Sequence, residues 1–219
     1  MVRRPGTTQL LTGIEEQVGD FSDPEFAAAV AGGASAVVTT VHPMGSDLAT
    51  QHRIDVEGIT RVLLRPPAIL GAGASSVWNP RRPAAIRDDE RARHAVPEQS
   101  FAWVHVDDLA TLAADVASGR VASSRDPAFG PVPGACTNVN IAAGPATVRD
   151  YHEAVTGALG VEPVWDDAPA WTGQILADRA LGWGWTPTVD LTQALAEIEA
   201  GLRSRGPELT GAVEDPRSG

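Results

Sequence analysis

Short β-branched runs and longer helical stripes of apolar residues alternate along the chain, which is the pattern of an α/β protein. Residues 36–41 (AVVTTV) form an uninterrupted β-branched run, which predicts a strand buried on both faces in a parallel sheet. Before this run, Asp23 is placed to cap a helix that begins at Pro24 and ends at Gly32. The first part of the chain therefore predicts a helix followed by a buried strand.

Residues 47–63 have helical spacing, and they run directly into the strand-like residues 63–70. Parallel strands joined through a helix normally have a short loop on each side of that helix. The missing loop indicates that a segment present in an ordinary α/β unit is absent at this junction.

The second half of the chain has clearer local signals. Residues 101–106 predict a short strand, and Asp107 or Asp108 can cap the helix that continues to about Gly119. We also expect strands at 137–141 and 162–165, a helix over 147–159 capped by Thr147, and a helix from Asp190 to about Arg203. Residues 206–219 combine proline, glycine and charge, which predicts a disordered tail.

Composition excludes several classes of partner. The 28 acidic and 17 basic side chains give a net charge of −11, which repels nucleic acid and anionic membranes. The five histidines lie far apart in the sequence, so no metal site is predicted. The chain has one cysteine, no leader pattern and no apolar run of about 18 residues, which indicates a reducing cytoplasm. We expect that cysteine, Cys136, to be a small core residue.

The chain has no lysine and a single tyrosine, Tyr151, which restricts its proton chemistry. All of its basic side chains other than histidine are arginine, and arginine stays protonated in proteins. Chemistry that needs a tyrosine and a neutralisable lysine is therefore excluded in this chain. We expect Tyr151, on the helix over 147–159, to bury its ring and keep its hydroxyl in water.

Seven short blocks occur in an order typical of one enzyme family. They are residues 19–24 (GDFSDP), 36–38 (AVV), 55–58 (DVEG), 64–71 (LRPPAILG), 104–110 (VHVDDLA), 140–142 (NIA) and 181–183 (LGW). This order resembles the NAD-dependent epimerase/dehydratase family, the extended short-chain dehydrogenases. The resemblance implies an α/β fold with an incomplete Rossmann-like parallel sheet and a small C-terminal substrate lobe. It implies a partial Rossmann-like domain over 1–140, which includes part of the lobe, and a substrate-lobe region over 141–205.

Two departures from the family pattern matter. The family begins with a strand, a glycine-rich turn that holds the cofactor pyrophosphate, and a helix, and this unit is absent here. The segment that carries the family's tyrosine and lysine is absent between Leu63 and Leu64. Loss of the central strand would expose sheet edges, and four explanations stay open. The chain is a decayed fragment, its two halves pair directly, a partner chain supplies the strand, or the sequence is part of a longer protein.

The resemblance also implies cofactor-binding residues. Arg3 and Arg4 match the position after the second strand that favours a 2′-phosphate, and hence NADP. Asp20 and Phe21 match the pair that borders the adenine, and Pro67 belongs to the strand end that approaches the nicotinamide. The alternative interpretation is a solvated N-terminus, a turn beside a helix, and no bound cofactor.

We expect the arginine-rich stretch to face the substrate lobe, together with Asp166 and Asp167. Its predicted substrate-binding residues, which could grip an anionic or aromatic ligand, are Trp78, Asn79, Arg81 and Arg82. The alternative is a solvated surface that neutralises its own charge. His105 resembles a structural histidine of the family, and we expect an imidazole satisfied inside the fold.

Three functions are consistent with these patterns. The patterns do not identify catalytic residues. The first is a truncated relative of NAD(P)-dependent oxidoreductases, epimerases and dehydratases that is impaired in redox catalysis. The second is a cofactor-independent small-molecule binding protein, or a lyase or cyclase that uses a carboxylate such as Asp107 or Asp167. The third is a non-enzymatic subunit that completes its sheet with a second copy or a longer homologue.

Overall fold

The computed structural model describes residue 17 and residues 24–38, 60–73 and 76–204. The chain divides into two compact units, Met1–Gly45 and Ser46–Gly219. In the first unit, the predicted helix is confirmed as α1, Pro24–Ala31. The predicted strand over 36–41 is wrong in its described part, because residues 36–38 are exposed and none of the described strands pairs with them. A strand needs a neighbour for its backbone hydrogen bonds, and among the described strands residues 36–38 have none.

The second unit contains three short pairs of parallel strands, which confirms the α/β class with small and incomplete sheets. The pairs are β1 (Arg61–Arg65) with β5 (Cys136–Asn140), β2 (Ala68–Leu70) with β4 (Trp103–His105), and β3 (His94–Ala95) with β6 (Val164–Trp165). Its helices are α2 (Arg81–Asp88), a 3-10 helix (Glu90–Arg93), α3 (Val106–Ala117), α4 (Val148–Leu159), α5 (Asp178–Gly182) and α6 (Leu191–Ser204). No described helix is both long and apolar enough to cross a bilayer.

Strand β1 corrects the helix that we predicted to continue to Leu63. Val62 and Leu64 pack against the core, whereas Leu63 between them is exposed, so the side chains alternate with a period of two. Residues 47–59 of the predicted helix lie outside the described residues. The sequence did not predict α2, whose buried side is formed by Pro83 and Ile86.

The junction between β4 and α3 is capped by a residue that the sequence did not indicate. The His105 side chain accepts a hydrogen bond from the Asp107 backbone N–H at 3.3 Å, so His105 is the cap in place of Asp107 or Asp108. Asp108 is buried, at 3 % exposure, and binds another part of the chain. Its carboxylate accepts from the backbone N–H groups of Thr188 at 3.0 Å and Val189 at 3.2 Å.

Helix α4 confirms the predicted helix and its cap. The Thr147 hydroxyl accepts from the Asp150 backbone N–H, and the Asp150 carboxylate accepts in return from the Thr147 backbone N–H, so the two form a capping box. The helix ends at Gly160, whose φ of 68° is left-handed and favours glycine. Strong local signals therefore determine both ends of α4.

Two clusters of buried side chains form the core of the second unit. The first joins α2, α4 and α6 to β2 and β4, and its buried residues include Leu70, Ile86, Phe101, Trp103, Tyr151, Val155 and Ile198. The second joins β4, β5, α3 and α5, and includes Val104, Leu112, Val139, Ile141, Trp183 and Trp185. The prediction that Cys136 is a core residue is wrong: Thr137 and Val139 of β5 point inward, so the alternation leaves Cys136 exposed.

The buried Asp108 carboxylate provides a test of this fold. We expect Asp108→Ala to lower the free energy of unfolding by about 3 kcal/mol, because it leaves buried backbone N–H groups without acceptors. Asp107→Ala is the matched control: it removes the neighbouring, exposed carboxylate and should change the free energy of unfolding by less than about 0.5 kcal/mol. Urea unfolding of both variants measures the difference, and equal losses would contradict the role given to Asp108.

Candidate functional site

Three aromatic rings from distant parts of the sequence meet in the first core cluster. The Tyr151 ring stacks on Phe101, with ring centroids 5.0 Å apart. The Trp78 ring meets both of them edge-on, at 5.1 Å from Phe101 and 5.3 Å from Tyr151. This packing fixes the segment before α2 against α4.

The Tyr151 hydroxyl lies inside this cluster, not in water as we predicted. The residue is 1 % exposed, and its hydroxyl donates a hydrogen bond to the Trp78 backbone carbonyl at 2.6 Å. Burial strongly raises the pKa of the phenol, and the positive charge of Arg82 opposes that rise only in part. The prediction was wrong because the acceptor lies 73 positions away, so no local pattern shows it.

His152 is a buried titratable residue that our sequence analysis did not select. It follows Tyr151 on α4, is 2 % exposed, and has a ring nitrogen, Nδ1, with no partner among the described residues. Burial, followed by the charge of Arg82, lowers its pKa to about 4. A signal was present, since Val148 and Val155 lie four residues before and three residues after it on the buried side of the helix.

The predicted substrate-binding residues lie together at the start of α2, with different surroundings. Trp78 belongs to the aromatic cluster, Asn79 is buried, and Arg81 is exposed. Arg82 is half-buried, and its Nε is fully buried with no partner among the described residues. Their role in binding a ligand stays a prediction.

The carboxylates that we considered have separate environments. The pairing of β3 with β6 brings Asp166 to His94, whose Nδ1 lies 2.9 Å from the Asp166 carboxylate. Asp167 is exposed, and the Asp107 side chain is 82 % exposed. An exposed carboxylate lacks the dry surroundings that tune a catalytic acid or base, so neither residue resembles one in this structure.

The predicted cofactor residues divide into two groups. Arg3, Arg4, Asp20 and Phe21 lie outside the described residues. Pro67 is half-buried in the turn between β1 and β2.

The described residues do not form a cradle for a cofactor pyrophosphate. The glycine pair at 71 and 73 follows β2, but Gly71 packs against the core. A Cβ at Gly71 would come within 2.7 Å of Val106 Cγ1 and 3.1 Å of His105 Nε2. Its φ of 144° also favours glycine, so packing and backbone geometry explain this residue. No chemical step can be derived through NAD(P) from these residues.

His105 is buried, and both of its ring nitrogens have hydrogen-bond partners, as the resemblance implied. Its Nδ1 accepts from the Asp107 backbone, so Nε2 carries the proton and donates to Glu197 Oε2 at 3.0 Å. This hydrogen bond is the main cause that lowers the pKa of Glu197. The contact joins the end of β4 to α6 and is structural.

An open groove was not predicted from the sequence. Two adjoining depressions of about 370 and 260 Å³ share Ser100, Pro145, Ala146 and Gln174, so they form one groove. Its polar side chains include Glu98, Ser100, Thr147, Asp150, Thr172, Gln174 and Asp178, and its apolar ones include Phe101, Ile175 and Leu176. None of the described residues that line it is an arginine, so the groove does not favour an anion.

Backbone hydrogen bonds hold the walls of the groove together. The Ser100 N–H donates to the Trp171 carbonyl at 2.8 Å, and the Phe101 N–H donates to the Ala146 carbonyl at 2.8 Å. Next to the groove, Trp171 is 58 % exposed and its indole lies over Gly173, where a Cβ would be 2.6 Å from the ring. The groove thus has fixed polar walls and an exposed aromatic ring close by.

The hydroxyl of Tyr151 can be tested by its removal. We expect Tyr151→Phe to lower the free energy of unfolding by about 1 kcal/mol, because the Trp78 carbonyl loses its donor. Thr156→Val is the control: its hydroxyl donates to the His152 carbonyl within α4, and this carbonyl is also available to the helix backbone. Urea unfolding should therefore show a smaller loss for Thr156→Val. An unchanged stability of Tyr151→Phe would contradict a stabilising role for this hydrogen bond.

Comparisons with known proteins give similarity to solved structures only. No protein-family model matches the chain, and no curated protein does. The UDP-glucose 4-epimerase of Bifidobacterium longum, in complex with NAD+ and UDP, is 15% identical with a TM-score of 0.47, covering 73% of this chain and 52% of that one. The UDP-glucose 4-epimerase of Thermotoga maritima, with UDP-glucose, is 21% identical with a TM-score of 0.42, covering 68% and 47%.

A third similar structure is RMD from Pseudomonas aeruginosa, complexed with NADPH. It is 19% identical with a TM-score of 0.43, covering 66% of this chain and 48% of that one. The chain thus spans about half the length of the solved structures that it matches.

Proposed function

We propose that this chain is a small-molecule-binding relative of the NAD(P)-dependent epimerases and dehydratases, and that its own residues do not carry out tyrosine–lysine hydride chemistry. The observation that carries the proposal is the burial of Tyr151, whose hydroxyl donates to the Trp78 carbonyl. A proton-transferring group must reach the substrate and have a pKa near the working pH. Tyr151 meets neither condition, and the sequence contains no lysine to assist it.

The groove supports the choice of ligand class. Its hydroxyl, amide and carboxylate groups can hydrogen-bond to the hydroxyls of a ligand, and its apolar residues can cover the carbon skeleton. Three carboxylates and no arginine lie along it, which disfavours a phosphate there. We therefore assign the groove a neutral, hydroxyl-rich ligand of the size of a sugar.

The exposed indole ring of Trp171 provides a further contact surface for such a ligand. An exposed indole offers a large rigid apolar face with little entropy to lose on binding. Gly173 allows this ring to lie close to the backbone beside the groove, because any side chain at that position would displace it. Glycine at 173 is thus a requirement of the proposed site.

The test titrates glucose and galactose, as neutral probes, against the protein and its Gly173→Ala variant while tryptophan fluorescence is recorded. We expect saturable binding to the wild type and about tenfold weaker binding to Gly173→Ala, equivalent to about 1.4 kcal/mol. Gly157→Ala is the matched control, since a Cβ at that position of α4 has no atom within 4 Å. It should bind as the wild type does and unfold at a higher urea concentration.

Absence of saturable sugar binding to the wild type, or equal affinity in Gly173→Ala, would contradict the groove assignment.

The same titration with NADPH and NADH tests the part of the proposal that concerns redox chemistry. Micromolar binding of either would instead support a cofactor-dependent relative. In that case Arg3 and Arg4 should favour NADPH over NADH, and Asp20→Ala should weaken both.

A second candidate is a subunit that completes its sheet with another chain. The observation in its favour is that, among the described strands, β1 pairs only with β5, and Leu63 of β1 is exposed. An open edge is a template for strand addition. A melting temperature that rises with protein concentration in the titration samples would favour this candidate, because association stabilises a folded chain by mass action.

A further inference from the structure

The two depressions that form the groove differ in chemistry. In the first, of about 370 Å³, six of the eight lining residues have polar side chains, and Glu98 and Asp150 are charged. In the second, of about 260 Å³, only three of the fifteen do: Ser100, Gln174 and Asp178. The sugar assigned to the groove binds through its hydroxyls, so it accounts for the first depression and leaves the second without a role.

Large apolar side chains are exposed along the second depression. Ile175, Leu176 and Leu181 all line it, and Leu176 is 64 % and Leu181 51 % exposed. Apolar surface gains about 25 cal/mol per Å² when it is removed from water. A single exposed leucine is ordinary on a protein surface, whereas several in one concavity are typical of a ligand site.

The backbone that lines the second depression offers few polar groups to a ligand. The Ala143 N–H donates to the Trp103 carbonyl at 2.8 Å, and the Ala102 carbonyl accepts from the Ala68 N–H at 3.2 Å. These groups are therefore occupied within the fold. A ligand group placed here gains chiefly from apolar contact.

Charge and size restrict that ligand group further. Asp178 is the one charged residue among the described residues that line the second depression, and its carboxylate disfavours a phosphate or another anion. Small-molecule sites commonly have volumes of about 300–1,000 Å³, a range that the first depression reaches alone. The second depression therefore adds room for an uncharged apolar substituent on the sugar.

We propose that the ligand of the groove is a glycoside, with its sugar in the first depression and an uncharged apolar aglycone, alkyl or aryl, in the second. The aglycone lies against Ile175, Leu176 and Leu181. Ser100 and Gln174 line both depressions, and their side chains can donate a hydrogen bond to the glycosidic oxygen between the two parts. This inference rests on the proposed function, which assigns the sugar to the groove.

The experiment compares three probes by titration calorimetry with the wild-type protein: glucose, phenyl β-glucoside and octyl β-glucoside, the last below its micelle concentration. We expect at least one glycoside to bind at least tenfold more tightly than glucose, because its aglycone leaves water. A gain with phenyl glucoside alone identifies an aryl aglycone, and a gain with octyl glucoside alone identifies an alkyl one.

Variants locate the gain within the groove. Leu176→Ala should weaken the tighter glycoside at least threefold and change the affinity for glucose less than twofold. Leu181→Ala, in α5, should do the same and provides a second variant should Leu176→Ala disturb the fold. Val77→Ala is the matched control, since Val77 is also exposed but lines neither depression. It should change all three affinities less than twofold.

The outcomes separate this inference from the proposed function. Equal affinities for glucose and both glycosides would overturn the glycoside and leave the sugar assignment intact. A gain that persists in both leucine variants would also overturn it. Absence of saturable binding by all three probes would contradict both proposals. Glycoside binding that the leucine variants weaken, without binding of glucose, would support the glycoside and contradict the free sugar as ligand.

Discussion

The hydrogen bond from the Tyr151 hydroxyl to the Trp78 carbonyl joins the two halves of the first core cluster. It fixes the turn before α2 to the middle of α4, and the rings of Trp78 and Phe101 pack around it. Phe101 also lines the groove, so one wall of the candidate ligand site rests on this cluster. The only phenol of the chain is therefore part of its framework.

The buried position of Tyr151 gives this residue a structural role in place of a role in proton transfer. A tyrosine that ionises or transfers a proton needs contact with water or substrate, and the core position of Tyr151 removes both. Binding has no such requirement. The groove beside Trp171 offers an acidic and hydroxyl-rich environment. Under the proposed function, this groove recognises a small molecule without an ionisable tyrosine.

The sequence predicted the elements whose signals are local. Thr147 marks the start of α4 within the sequence itself, and the structure confirms this cap and the predicted helix over 147–159. The predicted helix continued two residues too far into β1, because apolar residues in so short a segment fit both periods, whereas residues 63–70 were correctly predicted as strand-like. Pairing with β5 decides between the two periods. The Tyr151 hydroxyl and the groove depend on contacts between segments more than 20 positions apart, which no local pattern encodes.

Because Tyr151 is the only tyrosine, the ultraviolet absorbance of its phenolate reports on this constraint directly. The most direct measurement is a pH titration of that absorbance in the native protein, with circular dichroism recorded in parallel. The account predicts no phenolate near the ordinary pKa of 10.0, and its appearance only as the chain unfolds in stronger alkali. A reversible titration near that ordinary value, with the fold intact, would show that the hydroxyl is free and would contradict the central claim.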